Sequence, residues 1–404
     1  MTVIDRLGRV STLDRTLRAF TCVGTSPGSS DQRPDALALG VKDLFDVTGL
    51  PTGLGTAAIP ARQATSTAAA VTALQNWRAV VVGKTVTSEF AYFGANATRN
   101  PWNTDFSPGG SSSGSAAAVG AGLVPLAIGT QTNGSIVRPA AYCGVVGFKP
   151  TYGTIPTDGL WLYAPSIDTV GVFARTVGLA GTAADVMSAG DLGFAAATAP
   201  PEPAGLRIGV VRTQDWSMTS AEMRSVLDGT AAQLAAAGAH VTDVATPLCG
   251  DEGLLLHRTI SEFEGVAGIG RLGIERPDLV GEKVREMLDH AATISAEEYQ
   301  HALERRAQLV TELDEALSTV DFLLTVPASG TAPPAGDNGD PRYCTRWSLA
   351  GTPAICLPAA LGEHGLPLGV QLVGRRGFDA RLLEHAQSVE ELLAFASNYK
   401  RLDG

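Results

Sequence analysis

A long uncharged segment is the feature that most constrains how this chain can fold. From Phe106 to Val137 the sequence has no Asp, Glu, Lys or Arg, yet Gly, Ser, Thr, Gln and Asn are frequent. A buried helix or strand would carry fewer polar side chains, and a surface loop would carry some charge. Small polar residues allow hydroxyl groups and backbone N–H groups to converge on one point with little steric hindrance. The segment is therefore the first candidate for a functional site.

The flanking sequence alternates between short apolar segments and longer helical ones. Apolar segments over 36–42, 78–85 and 123–130 predict buried strands, and the clearest helical pattern covers 292–318. Alternating helices and strands favour a parallel or mixed sheet, and 404 residues are enough for one large domain or two. We predict a single α/β domain with a mixed central β-sheet flanked by helices on both faces. The proline-rich residues 197–204 are predicted to form a surface loop rather than a linker.

The composition argues against several classes of function. A formal net charge of −11 is unfavourable for binding nucleic acid or an anionic membrane. Five scattered cysteines without a CxxC pair predict reduced thiols and no zinc site. Asp5 and Asp14 lie where a secretory signal needs an apolar core, and Pro125 and many polar residues argue against a membrane span in the uncharged segment. We expect a soluble cytoplasmic protein that binds neither nucleic acid nor membranes.

No motif indicates a nucleotide cofactor. The residues GKT at 83–85 lack the upstream glycine of a phosphate-binding loop, because Arg78 stands in its place. No G-x-G-x-x-G sequence opens a helix after a strand, so dinucleotide binding is not indicated either.

One pentapeptide resembles the nucleophile turn of another hydrolase class. The residues GSSSG at 110–114 match G-x-S-x-G, with Ser112 at the centre. That mechanism also needs a histidine, and only His364, in the turn GEHG, lies in a suitable context. Because a short match inside a serine-rich segment arises easily by chance, this is the weaker alternative.

A serine can also be activated without histidine, by a lysine whose amine is neutral. Burial lowers the pKa of a lysine because it penalises the charged form. Lys42 ends an apolar strand, and the uncharged segment could offer it hydroxyls without any carboxylate. The alternative is that Lys42 forms a surface ion pair with Asp43 or Asp46.

The central segment closely resembles the signature of the amidase signature family of serine hydrolases. The resemblance is carried by GGSSSGSAAAVGAG, LAIGTQTNGSIVRPAAYCGVVGFKPTYG, GVKDLFDVTGLPTGLGT, SIDTVGVFART, SLAGTPAICLPA and GLPLGVQLVG, which cover nearly the whole chain in the family's order. It implies one amidase domain over 1–404, with the signature core at about 36–180. Residues 181–404 would supply the rest of the sheet and its covering helices.

The resemblance also implies a catalytic apparatus that needs no metal or organic cofactor. Lys42 is expected to be the base and Ser135 the nucleophile. Ser111 is expected to be the bridging serine and to follow a cis peptide bond from Gly110. The implied reaction is hydrolysis of a small linear amide through a Ser-linked acyl-enzyme. The residues expected to form the oxyanion hole are Thr132, Asn133, Gly134 and Ser135. Ser113, Gln131 and Asn133 stand where the family usually has Gly, Asp and Gly, and none of these changes removes a member of the triad.

The choice of substrate is less constrained. SIVRPAA resembles the malonamidase branch, in which the arginine corresponding to Arg138 binds a free carboxylate of the substrate; the alternative is a structural ion pair. Trp161 and Tyr163 are expected to line the acyl pocket. Two alternatives are a carbamate or urea-derivative hydrolase and an aryl-acyl amidase. Less favoured is an amidotransferase subunit that works with a partner on glutamine and a charged tRNA. A catalytically silent binding protein is a further alternative. A homodimer is left open.

Overall fold

An eleven-stranded sheet organises the part of the chain that the structure describes. The structure is a computed structural model, and it describes residues 10, 12, 14–24, 35–94, 96–196, 200–272, 274 and 276–395. The strands are β1 Phe20–Val23, β2 Leu37–Lys42, β3 Pro51–Thr52, β4 Arg62–Gln63, β5 Ala79–Thr85, β6 Leu126–Gln131, β7 Val146–Lys149, β8 Thr169–Ala174, β9 Arg207–Val210, β10 His240–Asp243, β11 Phe322–Thr325, β12 Ala354–Leu361 and β13 Pro367–Val373. The helices are α1 Ala69–Trp77, α2 Ser113–Gly120, α3 Val137–Cys143, α4 Val177–Met187, α5 Ala221–Ala236, α6 Glu252–Gly270, α7 Glu282–Ala291, α8 Ala296–Leu317, α9 Arg342–Leu349 and α10 Asp379–Leu393.

The large sheet is mixed. Its strand order is β1-β5-β2-β6-β8-β7-β12-β13-β11-β9-β10, while β3 and β4 pair separately. Strand β2 runs parallel to β5 and β6, and β9 runs parallel to β10 and β11. The strands from β8 to β13 in the middle of the order pair antiparallel. The predicted α/β fold with a mixed central sheet is confirmed.

Successive side chains along a strand belong alternately to two separate hydrophobic cores. On β2, Ala38 belongs to one core, while Leu39 and Val41 belong to the other. This is the two-residue period of a strand buried on both faces. Helices α2, α3, α6, α7, α8 and α9 contribute to the first core, and α1, α4, α5 and α10 contribute to the second. Helices therefore cover both faces, as predicted.

The strands predicted over 36–42, 78–85 and 123–130 correspond to β2, β5 and β6. The helix predicted over 292–318 is α8, which begins after a capping box formed by Ser295 and Glu298. Of the predicted loop 197–204, residues 197–199 lie outside the described residues, and residues 200–204 are neither helix nor strand.

The parallel pairing of β2 with β6 brings two distant parts of the chain together. Val41 is in register with Ile128, so the carboxyl ends of the two strands, at Lys42 and Gln131, lie at the same edge of the sheet. Ligands of α/β proteins bind outside the carboxyl ends of parallel strands. The turn between β6 and α3, which contains Ser135, leaves the sheet at this edge.

Candidate active site

Lys42 is a buried lysine surrounded by hydroxyl groups. Its side chain is fully buried, and Nζ lies 2.9 Å from Ser111 Oγ and 2.9 Å from Thr130 Oγ1. Burial lowers the pKa of Lys42 to about 7, and the negative charge of Asp168 partly opposes that shift. A large fraction of the amine is therefore neutral near neutral pH.

The two carboxylates next to Lys42 in sequence are occupied by other cations. Asp43 pairs with Lys84 at 2.8 Å, in a bridge that is buried on both sides. Asp46 pairs with Arg62 at 2.7 Å. The alternative of an ion pair between Lys42 and one of these carboxylates is wrong, because both acids point to other partners.

Ser111 lies just before α2, after a cis peptide bond from Gly110. Its neighbour Ser112 is buried and donates a hydrogen bond to the carbonyl of Thr130 at 3.2 Å. His364 is exposed on a surface turn, where its ring lies beside Phe106. The structure therefore does not bring Ser112 and His364 together.

Gln131 braces the turn that carries Ser135. Its Oε1 accepts hydrogen bonds from the N–H groups of Ile136 at 2.8 Å and Val137 at 3.0 Å. Its Nε2 donates to Ser348 Oγ at 2.9 Å. An amide thus supplies the acceptor at the position where the family usually has Asp, and its second end reaches α9.

Helix α9 also holds Asn133. Ser348 Oγ donates to the carbonyl of Asn133 at 2.6 Å, and the hydroxyl of Thr345 donates to Asn133 Oδ1. Asparagine tolerates the left-handed backbone conformation better than most residues. Asn133 does not have a positive φ, so the turn does not need this property. Its side chain anchors the turn instead.

The four predicted oxyanion-hole residues form one continuous turn. Within the described part of the chain, the N–H groups of Thr132, Asn133, Gly134 and Ser135 donate to no other protein atom. Buried N–H groups are almost always paired, so unpaired ones in succession can serve an external acceptor. An anionic oxygen formed during acyl transfer is such an acceptor.

Two buried side chains hold Thr132. Its hydroxyl donates to Asp168, and its carbonyl lies 2.9 Å from His257 Nε2. Burial raises the pKa of Asp168 to about 6, although hydrogen bonds from Thr132, Tyr163 and Ala164 favour the carboxylate. Sequence reasoning missed His257, because helix α6 lies in a charged segment and no motif marks it.

A small inner cavity of about 30 Å³ is bordered by both serines of the predicted triad. This is room for roughly two water molecules. Ser111, Ser135, Arg138, Tyr163 and His257 are among its lining residues. An outer cavity of about 250 Å³ shares Asn133 and His257 with it and adds Glu262 and Arg342 on its wall.

Arg138 lines the inner cavity, and two of its three guanidinium nitrogens are hydrogen-bonded to described residues. It is 2% exposed, with Nε donating to the carbonyl of Asn338 at 2.9 Å and Nη2 to that of Gly110 at 2.7 Å. Nη1 is buried and has no hydrogen-bond partner in the described part of the chain. No carboxylate of the described residues forms an ion pair with Arg138, so the structural ion pair is not found among them. Burial lowers the pKa of its guanidinium.

The two predicted aromatic residues are placed differently. Tyr163 lines the inner cavity, and its buried hydroxyl forms no hydrogen bond to any residue that the structure describes. Trp161 lines neither cavity; its ring packs on that of Phe90, with the centroids 5.8 Å apart. Among the residues described, there is no cluster of His, Cys, Asp or Glu that could hold a metal ion. No described helix is long and apolar enough to cross a bilayer.

Comparison with known proteins agrees with this architecture. A family model described as Amidase matches residues 35–383. A glutamyl-tRNA(Gln) amidotransferase subunit from Synechococcus sp. (strain CC9902) is 35% identical over 78% of this chain and 74% of that protein. The corresponding subunit from Prochlorococcus marinus (strain MIT 9303) is 31% identical over 98% and 94% of the two chains.

Solved structures extend the comparison to hydrolases. The peptide amidase PAM, solved with the competitive inhibitor chymostatin, has a TM-score of 0.79 and 30% identity, covering 96% of this chain and 92% of that one. A 6-aminohexanoate cyclic dimer hydrolase complexed with substrate has a TM-score of 0.85 and 26% identity, covering 98% and 93%. The resemblance to the malonamidase branch stays a prediction. The chain belongs to the amidase family and is an enzyme that acts on amide bonds.

Proposed function

We propose that this enzyme hydrolyses a small linear amide, with Ser135 as nucleophile, Ser111 as relay and Lys42 as base. The observation that carries the proposal is the 2.9 Å contact between the buried Nζ of Lys42 and Ser111 Oγ. No carboxylate of the described residues forms an ion pair with this amine. Ser111 and Ser135 line the same cavity.

The proposed acylation step conserves every proton. Ser135 Oγ attacks the carbonyl carbon and gives its proton to Ser111, whose own proton passes to the lone pair of Lys42. The anionic oxygen is stabilised by the N–H groups of the turn 132–135, an effect of about 3–4 kcal/mol for each critical donor. The relay then returns a proton to the leaving nitrogen as the C–N bond breaks. Water repeats the sequence on the acyl-enzyme and releases the carboxylic acid.

The proposed substrate carries a carboxylate on its acyl side. Arg138 supports this because it lines the inner cavity and its buried Nη1 has no hydrogen-bond partner among the described residues. Carboxylates accept charge-assisted hydrogen bonds from arginine, and a buried donor without a partner is costly unless a ligand satisfies it. The small volume of the inner cavity supports a short acyl chain.

Labelling with a fluorophosphonate and a substrate panel test the proposal together. The panel contains amides, esters and carbamates, each with and without a free carboxylate. We expect the probe to modify Ser135, and Ser135→Ala to abolish both labelling and hydrolysis. Ser112→Ala is the matched control, because Ser112 is a buried neighbour outside the relay. Labelling of a different serine would contradict the proposal, as would loss of labelling in Ser112→Ala alone.

A second candidate function is that of an amidotransferase subunit, and it is supported by the similarity to two relatives. The two cyanobacterial relatives are, by their names, subunits of a glutamyl-tRNA(Gln) amidotransferase. If this chain worked in the same way, it would release ammonia from glutamine only with partner subunits. Release of ammonia or an amine from simple amides by the purified chain would exclude this dependence. A carbamate or urea-derivative hydrolase uses the same triad, and the panel separates it by relative kcat/KM.

A further inference from the structure

His257 contacts the nucleophile turn but has no role in the mechanism above. The side chain is 3% exposed, and Nε2 lies 2.9 Å from the carbonyl oxygen of Thr132. A carbonyl oxygen only accepts hydrogen bonds, so Nε2 carries the proton. Burial lowers the pKa of His257 to about 4, which keeps the ring neutral at neutral pH. Nδ1 is therefore a lone-pair acceptor without a hydrogen.

The described part of the protein leaves that acceptor unused. No described residue hydrogen-bonds to Nδ1, and Nδ1 is not one of the fully enclosed side-chain atoms that lack a partner. His257 lines the inner cavity together with Ser111 and Ser135, and it also lines the outer cavity. The ring is therefore common to the cavity that contains Ser135 and to the outer cavity. A leaving group that extended from Ser135 into the outer cavity would pass this ring.

We propose that His257 Nδ1 accepts a hydrogen bond from the N–H of the scissile amide and so selects amides over esters. The inference rests on the proposed function, since it takes Ser135 as the nucleophile. An ester places an oxygen lone pair where an amide places N–H, and Nδ1 then has no donor. Sites built to hydrogen-bond an N–H reject analogues that lack it, because the buried acceptor stays unpaired.

His257 takes no proton in this step. The bond between Ser135 Oγ and the carbonyl carbon forms, the C–N bond breaks, and the nitrogen receives its new proton from Ser111. An N–H held by Nδ1 turns the nitrogen lone pair toward the relay, so the same contact also orients the leaving group. The imidazole ends the step in the tautomer in which it began.

Two substitutions of His257 distinguish the role of Nδ1 from that of Nε2. In His257→Gln the amide nitrogen reaches the position of Nε2, so the hydrogen bond to Thr132 is kept and the acceptor at Nδ1 is lost. In His257→Asn the carbonyl oxygen occupies the position of Nδ1, and the bond to Thr132 is lost. We expect His257→Gln to lower kcat/KM for an amide about tenfold while the ester of the same acid changes less than about twofold. We expect His257→Asn to lower both by the same factor.

Equal losses on amide and ester in His257→Gln would overturn the inference, because His257 would then not distinguish the N–H of an amide from the oxygen of an ester. Unchanged rates on both would overturn it too. Fluorophosphonate labelling of Ser135 in each variant distinguishes failure of the proposed function from failure of this inference. If the wild-type enzyme is not labelled at Ser135, the proposed function fails; if labelling is normal and the amide-to-ester ratio does not move, this inference alone fails.

Discussion

Three lysines are fully buried among the residues that the structure describes, and they differ in their hydrogen-bond partners. Lys84 pairs with the carboxylate of Asp43. Lys149 contacts the backbone carbonyls of Pro150 and Thr352, and burial lowers its pKa to about 7. Lys42 contacts the hydroxyls of Ser111 and Thr130. Burial lowers a lysine's pKa, but a base also needs a proton donor beside it, and of the three only Lys42 has a serine that lines the inner cavity.

Replacing Lys42 by alanine should nearly abolish hydrolysis at neutral pH. Loss of a general base costs roughly 10²–10⁴-fold in rate. The measurement is kcat on a short amide, with circular dichroism to verify folding. A folded Lys42→Ala enzyme with a near-normal rate would show that the base is elsewhere.

Replacing Arg138 by alanine should affect substrates unequally. A hydrogen bond to a charged group contributes about 1.5–3 kcal/mol, so kcat/KM for an amide with a free carboxylate should fall roughly 10–100-fold more than for its neutral analogue. The neutral amide is the internal control for folding. Equal losses on both substrates would assign Arg138 a structural role through Gly110 and Asn338.

At the scale of elements, the nucleophile turn depends on a distant helix. The sequence predicted β6 and the turn after it, and the resemblance singled out Ser135. Neither predicted that Thr345 and Ser348 of α9 would hold Asn133, because these contacts link residues more than 200 positions apart. Gln131 stood out only as a departure from the family pattern, and its bracing role became visible through its three hydrogen bonds.

Gln131 should matter for stability as well as activity. In Gln131→Ala the N–H groups of Ile136 and Val137 lose their acceptor, at about 1–3 kcal/mol for each buried group. We expect both the melting temperature and kcat of Gln131→Ala to be lower than those of the wild-type enzyme. Gln131→Glu is the matched control, because it keeps the acceptor oxygen and loses the donor to Ser348. A melting temperature for Gln131→Ala equal to that of the wild type would contradict this account of the turn.

At the scale of the whole molecule, apolar periodicity predicted the sheet and its two helical layers. It could not predict strand order, because strands far apart in the sequence, such as β7 and β12, lie side by side and no local pattern marks them as partners. It could not predict His257 either, since α6 reaches the cavity only in the folded chain. The division into a core at 36–180 and a remainder at 181–404 stays a prediction. Helices α6 and α9 from the second part supply groups that hold the turn of the first.

The buried pair of Lys84 and Asp43 should stabilise the whole fold. It joins β5 to the segment after β2, and Lys84 also donates to the carbonyl of Pro51 at 2.9 Å. Removing one partner of a buried ion pair costs about 3–5 kcal/mol, so Lys84→Met should unfold at markedly lower denaturant concentration. Arg62→Ala is the control: its side chain is 58% exposed and its pair with Asp46 should contribute under about 1 kcal/mol. Similar midpoints for the two variants would contradict this ranking.

The central claim is that a neutral, buried amine activates Ser135 through Ser111. The pH dependence of the rate at which a fluorophosphonate labels Ser135 tests it most directly, in the wild-type enzyme and in Lys42→Met. The amine works as a base only when deprotonated, so the wild-type rate should rise with pH through an apparent pKa of about 7. Lys42→Met should label very slowly, without that rise. An unchanged pH profile and rate in Lys42→Met would contradict the account.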